Sequence, residues 1–130
     1  MNEVVIALGS NIEPERNMER ARAILSREHE LVREAPAVRT TPRDFTDQPD
    51  FLNGAALIRT PLSRSELKQR LRAVESELGR VRGGHRQGPR TIDLDIVVWN
   101  GRVLDTHVYS WDFLRDAVRE LLPDLELSGG

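Results

Sequence analysis

The sequence contains no cysteine among its 130 residues. This absence excludes a disulfide framework and a thiolate zinc site, so any bound metal must take oxygen or imidazole ligands. Oxygen ligands favour hard cations such as Mg²⁺. Long apolar runs are also lacking, because the opening run Val4 to Leu8 is too short for a secretion signal or a membrane span. We therefore expect a cytoplasmic protein with no membrane partner.

Lysine is almost missing, since 18 of the 19 basic residues are arginine and Lys68 is the exception. The formal net charge of -2 argues against a general nucleic-acid binder. Arginine suits the planar recognition of phosphate groups. A GC-rich genome is an alternative explanation of the arginine bias itself.

The hydrophobic pattern predicts six main elements in one domain that covers residues 1–130. They are a strand at 4–8, a helix from Pro14, extended segments at 31–40 and 51–59, a helix at 63–78 and a strand at 92–98. Asn100-Gly101 then indicates a tight hairpin turn, and 113–121 a short helix. The order predicts an α/β (α+β) fold, a ferredoxin-like βαββαβ sandwich with a C-terminal hairpin and short helix.

Residues 79–90 form the densest chemical signal, with four arginines, four glycines, one histidine and no acid. Glycine lets the backbone approach an anion, and arginine holds one with two parallel hydrogen bonds. Neither standard glycine-rich nucleotide motif, Gly-x-x-x-x-Gly-Lys-Ser/Thr or Gly-x-Gly-x-x-Gly, occurs in the chain. A bound nucleotide must therefore be held in another way.

Asp93 and Asp95 follow this segment on a predicted strand, so both carboxylates point to one face and Ile92 and Leu94 to the other. Neighbouring carboxylates repel each other unless a cation lies between them, and Mg²⁺ takes one or two carboxylates together with phosphate oxygens. The alternative is a solvated strand face after a charged loop.

Phe51 and Asn53 share a face of another predicted strand, which places an aromatic ring beside an amide that donates and accepts hydrogen bonds. This pairing suits a flat heteroaromatic ligand. An equally good interpretation is that Phe51 belongs to the core and Asn53 caps a neighbouring turn.

Four segments together resemble one family, the 6-hydroxymethyl-7,8-dihydropterin pyrophosphokinases of folate synthesis. They are Gly9-Ser10-Asn11, residues 47–53 (Asp-Gln-Pro-Asp-Phe-Leu-Asn), residues 79–82 (Gly-Arg-Val-Arg) and residues 88–96 (Gly-Pro-Arg-Thr-Ile-Asp-Leu-Asp-Ile). The resemblance covers about residues 4 to 105 in order. It implies the transfer of pyrophosphate from Mg-ATP to the hydroxymethyl-dihydropterin, with release of AMP.

The resemblance also implies a set of site residues. Two Mg²⁺ ions would be held by Asp93 and Asp95 and would bridge the ATP phosphates. The residues implied for ATP binding are Glu75, Arg80, Arg82 and Arg90, and those with a catalytic role are Arg80, Arg90, Asp93 and Asp95. The pterin would lie between Phe51 and Phe113, with Asn53 and Thr40 at its polar edge.

The chain departs from the family pattern before Phe113, where relatives carry a longer segment with a His-Pro pair and a further arginine. Only residues 107–112 precede Phe113 here, and His107 or Tyr109 is a possible replacement for the missing ATP contacts. Two alternatives to an active enzyme stay open: a relative that binds pterin or nucleotide without this transfer, and an RNA-binding ferredoxin-like module. We expect a monomer or a weak homo-oligomer.

Overall fold

The computed structural model describes residues 1–41, 49–79 and 91–127. In chain order its elements are β1 (Asn2–Ser10), α1 (Pro14–Glu28), β2 (Glu30–Thr40), β3 (Phe51–Thr60), α2 (Arg64–Glu77), β4 (Asp93–Trp99), β5 (Arg102–Val103), a 3₁₀ turn (Thr106–Tyr109) and α3 (Asp112–Leu121). None of the helices in these ranges has both the length and the apolar character that crossing a membrane requires.

The five strands form one antiparallel sheet in the order β2-β3-β1-β4-β5. The first four strands have the split βαβ arrangement that the sequence predicted. The α+β fold is therefore confirmed, and the two extended segments in the middle of the chain pair with each other as β2 and β3. The strand predicted at 92–98 is observed one residue later, at Asp93–Trp99.

Each face of the sheet has its own hydrophobic core. The helix-pair core lies under α1 and α2 and contains Val4, Ile6, Leu8, Ala21, Ile24, Leu25, Ala56, Ile58, Leu67, Leu71, Val74, Leu78, Ile92 and Leu94. The α3 core lies on the opposite face and contains Val5, Ala35, Ala55, Leu57, Val97, Val98, Val108, Leu114, Val118 and Leu121. On this face α3 packs mainly on β2 and β3.

Local signals explain where several elements begin and end. Ser63 and Glu66 form the predicted capping box at the start of α2. Asn100 (φ 47°) and Gly101 (φ 81°) both adopt left-handed conformations, as a tight hairpin turn between β4 and β5 requires. The 3₁₀ turn, in which Asp105 caps the N–H of His107, was not predicted.

Candidate active site

Gly9 lies at the centre of a row of residues that crosses three strands. It pairs with Asn53 of β3 on one side and with Asp93 of β4 on the other. Ala7, two residues earlier, pairs in the same way with Asp95. Since Cα atoms of paired residues are about 5 Å apart, Asn53 and Asp93 are separated by about 10 Å. The row lies on the α3 side of the sheet, because the intervening Leu94 packs into the helix-pair core.

The side chains of Phe51 and Asn53 both lie over Gly9. A Cβ atom built on Gly9 would be 3.0 Å from Oδ1 of Asn53 and 3.9 Å from Cδ1 of Phe51. The prediction that these two residues share a face is therefore confirmed. Glycine at this position leaves room for the Asn53 amide, and any larger side chain would press against it.

Asn53 is also tied to Thr40 on the neighbouring strand. Its Nδ2 donates to Oγ1 of Thr40 at 2.5 Å, and Thr40 pairs with Phe51 in the β2–β3 register. The structure thus brings together three of the four predicted pterin residues. The bond sets the orientation of the Asn53 amide, with Oδ1 on the side of Gly9.

A cleft of about 630 Å³ separates β2 from α3, and its volume is typical of small-molecule sites. Thr40 lies on its β2 wall, while Phe113, the fourth predicted pterin residue, lies on its α3 wall. Three carboxyl side chains of α3 also line it, those of Asp112, Asp116 and Glu120. Carboxylates only accept hydrogen bonds when ionised, so this rim favours a ligand edge that carries N–H groups.

Asp93 is half-buried and Asp95 is exposed, both at the start of β4. The described ranges hold no group of three or more His, Asp or Glu residues that would enclose a metal ion. Two oxygen donors on one strand face nevertheless fit Mg²⁺, because this ion usually binds one or two carboxylates and completes its shell with phosphate oxygens and water.

Glu75, a residue of α2, lies next to the strand that carries Asp93 and Asp95. It is only 6% exposed, and its Oε2 accepts the N–H of Leu94 at 2.9 Å, midway between the two aspartates. The three arginines predicted to bind ATP, Arg80, Arg82 and Arg90, lie outside the described residues.

Ser10 and Asn11 have roles that the sequence did not suggest, although both were part of a recognised segment. Oγ of Ser10 donates to the carbonyl oxygen of Thr91 at 2.6 Å, and Nδ2 of Asn11 donates to that of Pro49 at 3.1 Å. Both side chains are buried. The last residue of β1 and the residue after it thus fix the chain just before β4 and just before β3, the two strands that carry the site.

An aromatic ladder lies at the start of α3. The rings of His107 and Trp111 stack with centroids 3.8 Å apart and planes 3° apart, and Trp111 lies 6.0 Å from Phe113. Nδ1 of His107 is also 2.9 Å from Oδ1 of Asp105. The four-residue spacing of His107 and Trp111 was the one sequence signal of this contact. The ladder occupies residues 107–113, which include the segment predicted to be shorter than in the family pattern.

Comparison with known proteins identifies the family. A model of the 7,8-dihydro-6-hydroxymethylpterin-pyrophosphokinase (HPPK) family matches residues 5–124. The chain belongs to the HPPK family. The match extends beyond the resemblance seen in the sequence, because it includes residues 107–112 and all of α3.

Several curated relatives support this assignment. A 2-amino-4-hydroxy-6-hydroxymethyldihydropteridine pyrophosphokinase of Pseudomonas aeruginosa is 37% identical over 141 residues, covering 100% of this chain and 86% of the relative. A protein of the same name from Bacillus subtilis is 39% identical over 110 residues, covering 82% of this chain and 65% of the relative. A folate synthesis bifunctional protein of Arabidopsis thaliana is 40% identical over 99 residues, which are 75% of this chain but 20% of that protein. The Pseudomonas alignment is longer than this chain, so that HPPK carries residues that are missing here.

Proposed function

We propose that the chain transfers pyrophosphate from ATP to 6-hydroxymethyl-7,8-dihydropterin in folate biosynthesis, with AMP as the second product. The observation that carries the proposal is the row across β3, β1 and β4, in which Asn53, Gly9 and Asp93 are adjacent. One end of this row has groups suited to a pterin, and the other has groups suited to a metal–phosphate complex.

At the first end, Phe51 and Phe113 would hold the two faces of the pterin, with Asn53 and Thr40 at its polar edge. The Asn53 amide is already oriented by its bond to Thr40, so little freedom is lost when a ligand binds. The acidic wall of the cleft would accept the N–H groups of the 2-amino edge of the ring.

At the second end, Asp93 and Asp95 would hold Mg²⁺, with two ions expected. Bound Mg²⁺ would neutralise the negative charge of the phosphates. Glu75 was predicted to lie on the ATP side, and Arg80, Arg82 and Arg90 would contact the phosphates, with Arg80 and Arg90 stabilising the transferring group.

In the reaction, the substrate hydroxyl oxygen forms a bond to the β-phosphorus and loses its proton to water, the bond from that phosphorus to the bridging oxygen of the α-phosphate breaks, and AMP leaves with that oxygen. The separation of about 10 Å between Asn53 and Asp93 leaves room for the pterin ring, its hydroxymethyl arm and the β-phosphate in line. Positioning of the two substrates would supply most of the rate enhancement.

All of the proposed site residues come from one chain, so a monomer or a weak homo-oligomer suffices for this activity. The use of ATP agrees with the expected cytoplasmic location.

The test is an assay of AMP release by the purified chain. We expect AMP only when ATP, Mg²⁺ and the pterin are all present. Release of ADP would indicate an ordinary kinase, while binding of both ligands without product would indicate a relative that does not transfer pyrophosphate. Either result would overturn the proposal.

A further inference from the structure

The Glu75 carboxylate accepts a hydrogen bond from the Leu94 N–H, which lies between the two proposed metal ligands, Asp93 and Asp95. A buried carboxylate is costly unless its oxygens accept hydrogen bonds, and Oε2 of Glu75 accepts the one backbone N–H between Asp93 and Asp95. The bond connects α2 to β4, two elements that otherwise pack through apolar side chains such as Val74 and Leu94.

The outer side of β4 faces β5, whose backbone pairs lie at the other end of the strand. β1 pairs with β4 from Asp93 onward. On the opposite edge, the pairs that the structure describes between β5 and β4 involve only Val98 and Trp99. Backbone pairing by β5 thus does not reach Leu94, and Glu75 adds a fixed bond in that region.

Asp93 and Asp95 extend from Cα atoms about 7 Å apart, on either side of the Leu94 residue. Any shift of this short backbone segment moves both carboxylates. Binding sites must hold their ligating groups to within about 0.5 Å, and loss of a group that orients metal ligands typically costs about 10- to 100-fold in metal affinity.

We infer that Glu75 is a positioning residue: it fixes the backbone at Leu94 and so sets the relative placement of the Asp93 and Asp95 carboxylates. This inference rests on the proposed function for the identity of the metal pair. It assigns Glu75 a role through the backbone of β4, in place of direct contact with the nucleotide.

Two substitutions separate this role from a direct charge effect. Glu75→Gln keeps an oxygen that accepts the Leu94 N–H and removes the charge. Glu75→Asp keeps the charge and shortens the side chain by one methylene, so that the acceptor no longer reaches. Glu77→Gln is the matched control, because Glu77 lies on the same helix, is exposed and pairs with Arg70.

The experiment measures the affinity for Mn²⁺ by electron paramagnetic resonance, in the presence of the nucleotide analogue α,β-methylene-ATP. NMR measures the rate at which the Leu94 amide proton exchanges with solvent. Thermal unfolding of each variant checks that it is folded. Neither main readout needs turnover. We expect Glu75→Asp to weaken Mn²⁺ binding about 10-fold or more and to speed Leu94 exchange about 10-fold. Glu75→Gln should stay within about 3-fold of the parent chain in both, and Glu77→Gln should change neither.

A loss in Glu75→Gln as large as in Glu75→Asp would overturn the inference, since the charge would then act directly. Faster Leu94 exchange with unchanged Mn²⁺ affinity in Glu75→Asp would also overturn it, leaving the bond a purely structural role. AMP release is measured in parallel on the parent chain. Its absence with intact Mn²⁺–nucleotide binding refutes the proposed function alone, whereas a parent chain that does not bind Mn²⁺ with the nucleotide refutes both.

Discussion

Asn53 donates its side-chain N–H to the hydroxyl of Thr40 at 2.5 Å, across the β2–β3 pair. The hydroxyl thereby sets which way the amide faces. Removing Asn53 itself, as Asn53→Ala, should weaken pterin binding by about 1–3 kcal/mol, roughly 10- to 100-fold. Calorimetric titration with the pterin and, separately, with ATP measures the effect. An equal loss of affinity for both ligands, or no loss of affinity for the pterin, would show that Asn53 does not belong to the pterin pocket.

Thr40 offers a matched pair of substitutions. Thr40→Val keeps the shape and removes the hydroxyl, so the amide loses its partner and pterin affinity should fall by about 0.5–1.5 kcal/mol, a few-fold to about 10-fold. Thr40→Ser keeps the hydroxyl and should retain most of the affinity. The interpretation fails if the serine variant is the weaker of the two.

Gly9→Ala should reduce pterin affinity while the fold is kept. The new methyl group would be 3.0 Å from Oδ1 of Asn53, and the amide cannot retreat without loosening its bond to Thr40. Overpacking of this kind costs about 1–3 kcal/mol, so we expect about a 10-fold loss. Gly54→Ala is the control, because its methyl group faces α1, where it is close to the flexible end of Met18 at 3.2 Å and makes an ordinary contact with Ala37 at 3.9 Å. Equal effects of the two variants on pterin binding would contradict the geometry.

Asp95→Asn should abolish Mg²⁺-dependent nucleotide binding, because the pair with Asp93 then lacks one of its two charges. The measurement is ATP affinity as a function of Mg²⁺ concentration, together with thermal unfolding. Asp124→Asn, an exposed change of the same type far along the chain, should leave both unchanged. Unaltered ATP affinity in the Asp95 variant would remove this residue from the metal site.

The shortened segment from His107 to Asp112 should limit turnover more than pterin recognition. A longer segment in relatives would help to close the site, align the phosphates and exclude water, whereas Thr40, Phe51, Asn53, Phe113 and both aspartates lie outside it. Grafting a full-length family segment between Thr106 and Phe113 should raise AMP release and ATP affinity. If the natural chain already turns over as fast as a full-length relative assayed beside it, the segment is dispensable.

The free energy of unfolding should depend on pH through His29. Its Nδ1 lies 3.0 Å from Oγ1 of Thr60, in a region away from the site. Burial lowers the pKa of His29 below its usual value of 6.5, against the opposing effect of Glu28 and with a smaller contribution from Arg70. The unfolded chain then binds more protons than the folded one below pH 6.5, so stability is full above that pH and falls as the pH drops through it. Denaturant unfolding between pH 7.5 and 5.5 should show this slope, and His29→Gln should flatten it. An unchanged slope in the variant would contradict the assignment.

Much of the fold could be predicted because its signals are local. The apolar spacing of α2, its capping box and the Asn100-Gly101 turn are each contained in a few neighbouring residues. The unpredicted 3₁₀ turn is too short to show a hydrophobic period. Its cap, Asp105, gives no specific signal either, because aspartate is also common in ordinary loops.

The site was predictable only in part, because its geometry depends on sheet order. Alternation alone placed Phe51 with Asn53, and Asp93 with Asp95. That Gly9 lies between these two pairs depends on β1 being central, which brings together residues more than 80 positions apart. The contact of Glu75 with Leu94 had no sequence signal, since a single acid beside an apolar stripe is usually solvated.

The central claim is that one intact pyrophosphate group moves from ATP to the pterin. The direct measurement is ³¹P NMR of the complete reaction with Mg-ATP and 6-hydroxymethyl-7,8-dihydropterin. The account predicts AMP and the pterin diphosphate in equal amounts, with the β- and γ-phosphorus atoms of ATP still joined in the pterin product. ADP together with a pterin monophosphate, or free phosphate with unmodified pterin, would contradict it.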